Sequence, residues 1–156
     1  MNRSEIVALM IAKELERFDH PSINKDSTNV RLSRNKENPD KCELEVKLYD
    51  KEGTYVLEDH GMEPYYVVPG LLFSVSEKGS KVCIERVYVK PEYRGNDLGT
   101  EVVRCFELAA TLARARVICL DADLETKAGD YWKTKHGFAY REDTNPNYME
   151  KDLILN

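Results

Sequence analysis

The chain has little of what would tie it to a membrane, a metal or a nucleic acid. No apolar stretch approaches the roughly 18 residues of a membrane span. The apolar run 6–12 is short and gives way at once to Lys13, Glu14, Glu16 and Arg17, which is not the layout of a secretory signal, so the cytoplasm is the expected compartment. Cysteine is scarce: Cys42, Cys83, Cys105 and Cys119 form no C-x-x-C pair. Three of them lie inside apolar segments, where a thiol behaves as a small hydrophobe, so they read as structural residues, with no metal site and no disulfide framework. Basic residues do not prevail, with 23 Lys and Arg against 28 Asp and Glu and a net charge of −5. That balance disfavours a nucleic-acid partner, which needs a concentrated basic face. It suits a cationic amine substrate, although solubility alone accounts for it. There is no internal repeat, low-complexity tract or linker. With 42% hydrophobic and 33% charged residues over 156 positions, the expectation is one globular domain spanning 1–156, long enough to bury a core without staples.

The order of elements follows from periodicity and punctuation. Asn2 and Glu5 can form a capping box, and Val7, Met10, Ile11, Leu15 and Phe18 recur at helical spacing, which predicts a helix over 3–18. Residues 19–40 are polar and rich in Asn and Pro, hence mostly loop, with a short strand at 29–33. Cys42, Leu44, Val46 and Leu48 alternate with polar neighbours as in a half-buried strand, and 50–53 turns it back into 54–58. A polar break holding His60 precedes a short extended piece at 65–68. Residues 71–76 then pair with 81–89 through the turn 77–80. After a long helix, 117–122 has strand length, so strand, helix and strand make a right-handed parallel unit with its crevice at the strand ends. A short helix at 126–135 and an antiparallel hairpin of 138–141 with 148–155 complete the chain.

The stretch 82–100, VCIERVYVKPEYRGNDLGT, organises the rest. Val82, Cys83, Ile84, Val87, Tyr88 and Val89 put apolar side chains at both parities, the pattern of a central strand covered on both sides. Lys90 and Pro91 end it. Residues 94–99 lead into a helix carrying Leu98, Val102, Phe106, Ala109 and Ala113 at spacings of three and four. A loop entering a helix offers unpaired amides at the positive end of the helix dipole, a ready site for phosphate.

On these residues, Val87-Tyr88-Val89, Pro91 and Arg94-Gly95-Asn96-Asp97-Leu98-Gly99, the chain resembles the acyl-CoA binding signature of the GNAT superfamily of N-acyltransferases, R-x-x-G-x-G after a V-x-P strand end. A second block, residues 131–138 (YWKTKHGF), is similar to the family's aromatic helix end and Gly-Phe strand start. The resemblance covers about half of the chain, 81–156, and leaves 1–80 unmatched. It implies an α/β fold with a mixed, mostly antiparallel sheet, V-shaped splay and helices on both faces. It also implies acetyl transfer from acetyl-CoA to a primary amine of a small molecule or protein by direct attack, with no membrane partner and a homodimer allowed. The alternative is an inactive GNAT-like module acting through CoA or a protein partner. Charged tRNA as acceptor is disfavoured by the negative charge.

The same resemblance assigns roles. Backbone groups of Val87, Tyr88 and Val89 would pair with the pantetheine arm, and Arg94, Gly95, Asn96, Asp97, Leu98 and Gly99 would cradle the pyrophosphate, with the Thr100 hydroxyl adding a donor. Asp97 departs from the pattern, standing where the family has its first glycine, and sets a carboxylate beside an anion. For the general base, Glu85 interrupts an apolar strand just before the cofactor segment, where partial burial would raise its pKa. A counter-cation or solvent at that point is the competing reading. Asp121 and Asp123 are rivals, and His60 and His136 weaker ones. The family's general-acid Tyr falls at Lys133, whose unperturbed pKa of about 10.4 is close to tyrosine's 10. Tyr131, about 200° around the helix from Lys133, should point away, and Trp132 reads as core.

Overall fold

The computed structural model describes residues 1–62 and 66–154. The predicted extended piece at 65–68 is therefore visible only from residue 66. Helix α1, Arg3–Glu16, opens with the expected capping box: the Asn2 side chain accepts the Glu5 amide at 2.9 Å and Glu5 answers the Asn2 amide. It buries Val7, Ala8, Ile11, Ala12 and Leu15. Met10, expected on that stripe, faces outward, and the chain leaves the helix before Phe18, which is buried on its own account.

Seven strands form one sheet: β1 (Asn29–Arg34), β2 (Cys42–Lys47), β5 (Leu71–Ser76), β6 (Lys81–Val87), β7 (Val117–Asp121), β9 (Tyr148–Asp152) and β8 (Ala139–Tyr140), in that order across it. Among the described residues only β6 and β7 pair in parallel, joined by α2, Leu98–Leu112, as the crossover argument requires. The last hairpin is antiparallel, but β9 takes the inner place beside β7 and leaves two-residue β8 at the edge. A separate two-stranded ribbon, β3 (His60–Met62) with β4 (Tyr66–Val68), puts His60 in a strand where the sequence predicted a loop. Residues 54–58 form no full strand. They touch the sheet through the bridges Tyr49 to Tyr55 and Leu57 to Val89. Helices α1 and α2 lie against one another, and Phe73 of β5 stacks on Phe106 of α2 with ring centres 3.8 Å apart.

Two features of β6 correct the sequence reading. Opposite Leu72 and Phe73 stand Arg86 and Ile84, so Glu85 is the extra residue of a β-bulge. The bulge flips the alternation: Val82 and Ile84 face the core before it, and Val87 and Val89 lie against Gly99 of α2 after it. Apolar residues at both parities come from this shift rather than from cover on both faces. The second correction concerns cysteine. Cys83 and Cys119 stand opposite each other in β6 and β7, with Cα atoms 4.7 Å apart, and are joined as a disulfide. Cys42 and Cys105 are free thiols.

Gly70 marks where two segments crowd together. A Cβ there would meet the Glu58 backbone N and O at 2.8 Å and the Leu57 Cβ at 2.9 Å. Gly70 also accepts the Tyr88 amide through its carbonyl at 2.7 Å, and its own amide donates to Asp59 Oδ1 at 2.8 Å. Gly70→Ala must push residues 56–58 off β6, and is expected to cost about 2 kcal/mol of stability in urea unfolding. An unchanged midpoint would show that 56–58 yields freely.

Candidate active site

Strands β6 and β7 pair only from Lys81 to Cys83 against Val117 to Cys119 and then part. Beyond the fork the outer edge of β6 is occupied. The Tyr88 amide donates to Gly70, the Tyr88 carbonyl accepts from Glu58 at 2.9 Å, and the Lys90 amide donates to Val56 at 2.9 Å. Backbone alternation turns the Val87 and Val89 amides the other way, into the space that β7 has left. That space is a groove of about 410 Å³ lined by Val87, Val89, Tyr93, Arg94, Gly95, Asp97, Leu98, Gly99, Thr100, Tyr131 and Trp132.

The groove runs to the start of α2, whose first amides have no helical partner. Gly95 has φ +94°, which glycine adopts without strain, and nothing lies within 4 Å of where a Cβ would stand, so the space beside it is open. Asp97 takes the left-handed conformation, φ 62°, that its glycine-like position demands, and its exposed side chain makes no cap to the helix. Arg94 donates through Nε to the Val89 carbonyl at 2.9 Å, and its guanidinium lies 5.0 Å from the Tyr88 ring centre. Tyr93 donates to Asp50 Oδ2 at 2.7 Å, which holds the Asp50 carboxyl below the usual range and raises the Tyr93 phenol.

Helix α3, Ala128–His136, puts Tyr131 rather than Lys133 on the groove wall. The Tyr131 hydroxyl lies 2.7 Å from Thr100 Oγ1 and 3.1 Å from His136 Nε2. Burial lowers the pKa of His136, so the imidazole is neutral near pH 7. Lys133 instead sits over the Tyr140 ring, 5.1 Å from its centre. Trp132 is partly buried, edge-on to Phe138 and Tyr131, and contributes both to packing and to the groove wall.

A second cavity of about 280 Å³ lies at the fork and is lined by Lys81, Cys83, Ile84, Glu85, Cys119, Leu120, Asp121 and Tyr148. Glu85 accepts from Ser74 Oγ at 2.7 Å and pairs with Lys41 at 3.2 Å, an ionic setting rather than an apolar one. The Asp121 carboxylate accepts from Asn145 at 2.9 Å. Asp123 caps the turn after β7 through the Glu125 amide, and His60 lies on the ribbon, so neither lines this cavity. Sequence reasoning missed His20 altogether. Its Nε2 lies 2.9 Å from the Asn96 carbonyl, a contact across 76 residues with no sequence signal.

The sequence profile of the acetyltransferase (GNAT) family matches residues 20–138. The chain belongs to this family. A candidate acyl-CoA N-acyltransferase from Klebsiella pneumoniae matches with TM-score 0.51 and 19% identity over 74% of each chain. Tetrahymena GCN5 matches with TM-score 0.52 and 11% identity, over 75% of this chain and 71% of that one. At such identities the likeness is one of fold: a GNAT fold with a mostly antiparallel sheet and helices packed on it. Among curated proteins no match is found. Of the GNAT signature read at 87–100, Val87, Val89, Arg94, Gly95, Asp97, Leu98, Gly99 and Thr100 line the groove, whereas Tyr88 turns its backbone the other way, to Gly70 and Glu58, and Asn96 turns its carbonyl to His20.

Proposed function

We propose that this GNAT protein transfers an acetyl group from acetyl-CoA to a primary amine by direct attack. The observation that carries the reading is the fork of β6 and β7, which leaves the Val87 and Val89 amides turned into a groove ending at the N-terminus of α2. These amides would bind an extended pantetheine arm as a missing strand, and 94–99 with Arg94 would hold the pyrophosphate. One strand amide would also polarise the thioester carbonyl. Glu85, with Asp121 beside it, faces the fork from the second cavity. There a carboxylate would attract an ammonium and accept its proton directly or through water. Tyr131 takes the general-acid role in place of Lys133: its phenolic proton passes to the departing thiolate. His136, in the tautomer protonated at Nε2, donates to the phenolate so formed.

Calorimetric titration with acetyl-CoA and with free CoA, followed by an amine panel scored by thiol release, tests the reading. Micromolar binding with turnover supports the transferase. Binding without product from any amine favours the second reading, a non-catalytic CoA-binding module, for which the Asp97 carboxylate at the groove is the supporting observation. If turnover occurs and Glu85→Gln leaves it unchanged across pH, the base lies elsewhere.

Asp97→Gly separates charge from backbone. Relief of left-handed strain and the extra chain entropy of glycine are each about 1 kcal/mol and oppose one another, so stability should barely move. Removing a carboxylate beside a pyrophosphate is expected to tighten CoA binding about tenfold, or about 1.4 kcal/mol. Unchanged affinity would place the Asp97 carboxylate away from the phosphates.

A further inference from the structure

His20 comes from the segment after α1, far in sequence from the groove, yet its imidazole is buried against the loop that precedes α2. Both ring nitrogens are engaged. Nδ1 accepts the Ser22 amide at 3.0 Å, which requires a lone pair there, so the proton resides on Nε2 and is donated to the Asn96 carbonyl at 2.9 Å. The Asn96 side chain also donates to the Ser22 hydroxyl, which ties the same two segments a second time. Phe18 packs its ring near His20, with centres 6.4 Å apart.

The consequence follows from peptide geometry. In a trans peptide the carbonyl of one residue and the amide of the next point in opposite directions. His20 lines a separate depression with Asp19, Pro21 and Lys51, whereas Asp97 lines the groove and neither His20 nor Asn96 does. Holding the Asn96 carbonyl toward His20 therefore turns the Asp97 N–H away from the ring, at a residue that lines the groove. Asp97 is the one non-glycine in this loop with a left-handed backbone, a conformation that an unanchored loop would readily leave by rotating the peptide before it.

We infer that His20 is a positioning residue for the phosphate loop: it fixes the peptide between Asn96 and Asp97 so that the Asp97 amide is presented to the pyrophosphate of CoA. This rests on the proposed CoA-dependent reading. The imidazole touches neither cofactor nor reacting atoms, so its removal should act on affinity for the pyrophosphate and not on the chemical step.

The test compares CoA with pantetheine, which has the arm and thiol but no pyrophosphate, on wild type, His20→Ala and His20→Gln. The expected result for His20→Ala is a roughly tenfold weaker CoA affinity, unchanged pantetheine affinity and unchanged kcat at saturating acetyl-CoA. A glutamine side-chain amide can replace the Nε2 donor, so His20→Gln should recover most of the loss. Should His20→Ala fail to fold, His20→Gln and the nitrogen spectrum of the wild-type ring decide the matter: the expected signature is a proton on Nε2 and none on Nδ1. Equal loss of CoA and pantetheine, undiminished CoA binding in His20→Ala, or a proton on Nδ1 would each overturn the inference. A wild type that binds no CoA overturns the functional reading and this inference with it. A wild type that binds CoA, beside an Ala variant that binds it equally well, overturns the inference alone.

Discussion

Tyr131→Phe is expected to lower kcat about a hundredfold while leaving the affinity for acetyl-CoA within about twofold. The substitution removes one oxygen and keeps the ring, which packs edge-on to Trp132 and His136 with centres 5.0 and 5.3 Å away. Groove shape is thus preserved, and only the proton donor is lost. General acid catalysis by a placed group contributes about 10²–10⁴. The low end applies because the groove is open enough for water to protonate the thiolate in its stead. The lost hydrogen bond to Thr100 costs about 1 kcal/mol of stability, which denaturant unfolding can register separately. Lys133→Ala serves as control and should leave kcat near wild type, since that ammonium lies over Tyr140. An unaltered rate in Tyr131→Phe, with a fall in Lys133→Ala, would return the acid role to lysine. The neutral His136 behind Tyr131 adds a pH signature. Its pKa is depressed by burial below the ordinary 6.5, so over the window just below 6.5 the unfolded chain binds more protons than the folded one. The stability that this group contributes is complete above 6.5 and is lost as pH falls toward the folded-state pKa.

Reducing the bond between Cys83 and Cys119 is expected to destabilise the fold by about 3–4 kcal/mol, measured as the difference between denaturant curves with and without a dithiol reductant. That magnitude follows from the 36-residue separation of the two cysteines, whose closed loop restricts the unfolded chain. Alkylation of the unfolded, unreduced protein should label only Cys42 and Cys105, and reduction should expose all four thiols. Four labelled thiols without reductant would show that the two sulfurs merely touch. Because the bond closes the last rung before β6 and β7 part, its loss bears on the groove as well. The serine double variant should bind CoA more weakly if the fork then migrates toward Lys81.

The parts of the fold that were legible in the sequence are those governed by neighbours along the chain. Asn2 and Glu5 are three residues apart and cap α1 as expected; the turn 77–80 joins two strands whose alternation is plain; the polar loop before Leu98 announces α2. What escaped depends on register or on how one element lies upon another. The cysteine pair requires knowing that Cys83 stands opposite Cys119 across a parallel ladder. The resemblance selected Lys133, but Tyr131 is the residue that lines the groove and meets Thr100 of α2, a contact between elements that no count along one helix contains. Glu85 was found by its charge among apolar neighbours, whereas the Lys41 and Ser74 that hold it belong to strands and loops distant in sequence. His20 gave no signal, because an isolated histidine in a polar segment looks the same whether or not a carbonyl awaits it.

The extra residue in β6 has a consequence for how this molecule can change. The strand is in effect two half-strands of opposite phase, Lys81 to Ile84 and Arg86 to Val89, spliced at Glu85. The first half answers to the packing of the interior, and the second to whatever lies along the groove. A change that slides or reshapes one half is absorbed at the splice before it reaches the other. The half along the groove can therefore drift in sequence while the interior keeps its fit, and Glu85, standing at the joint, belongs to neither rhythm.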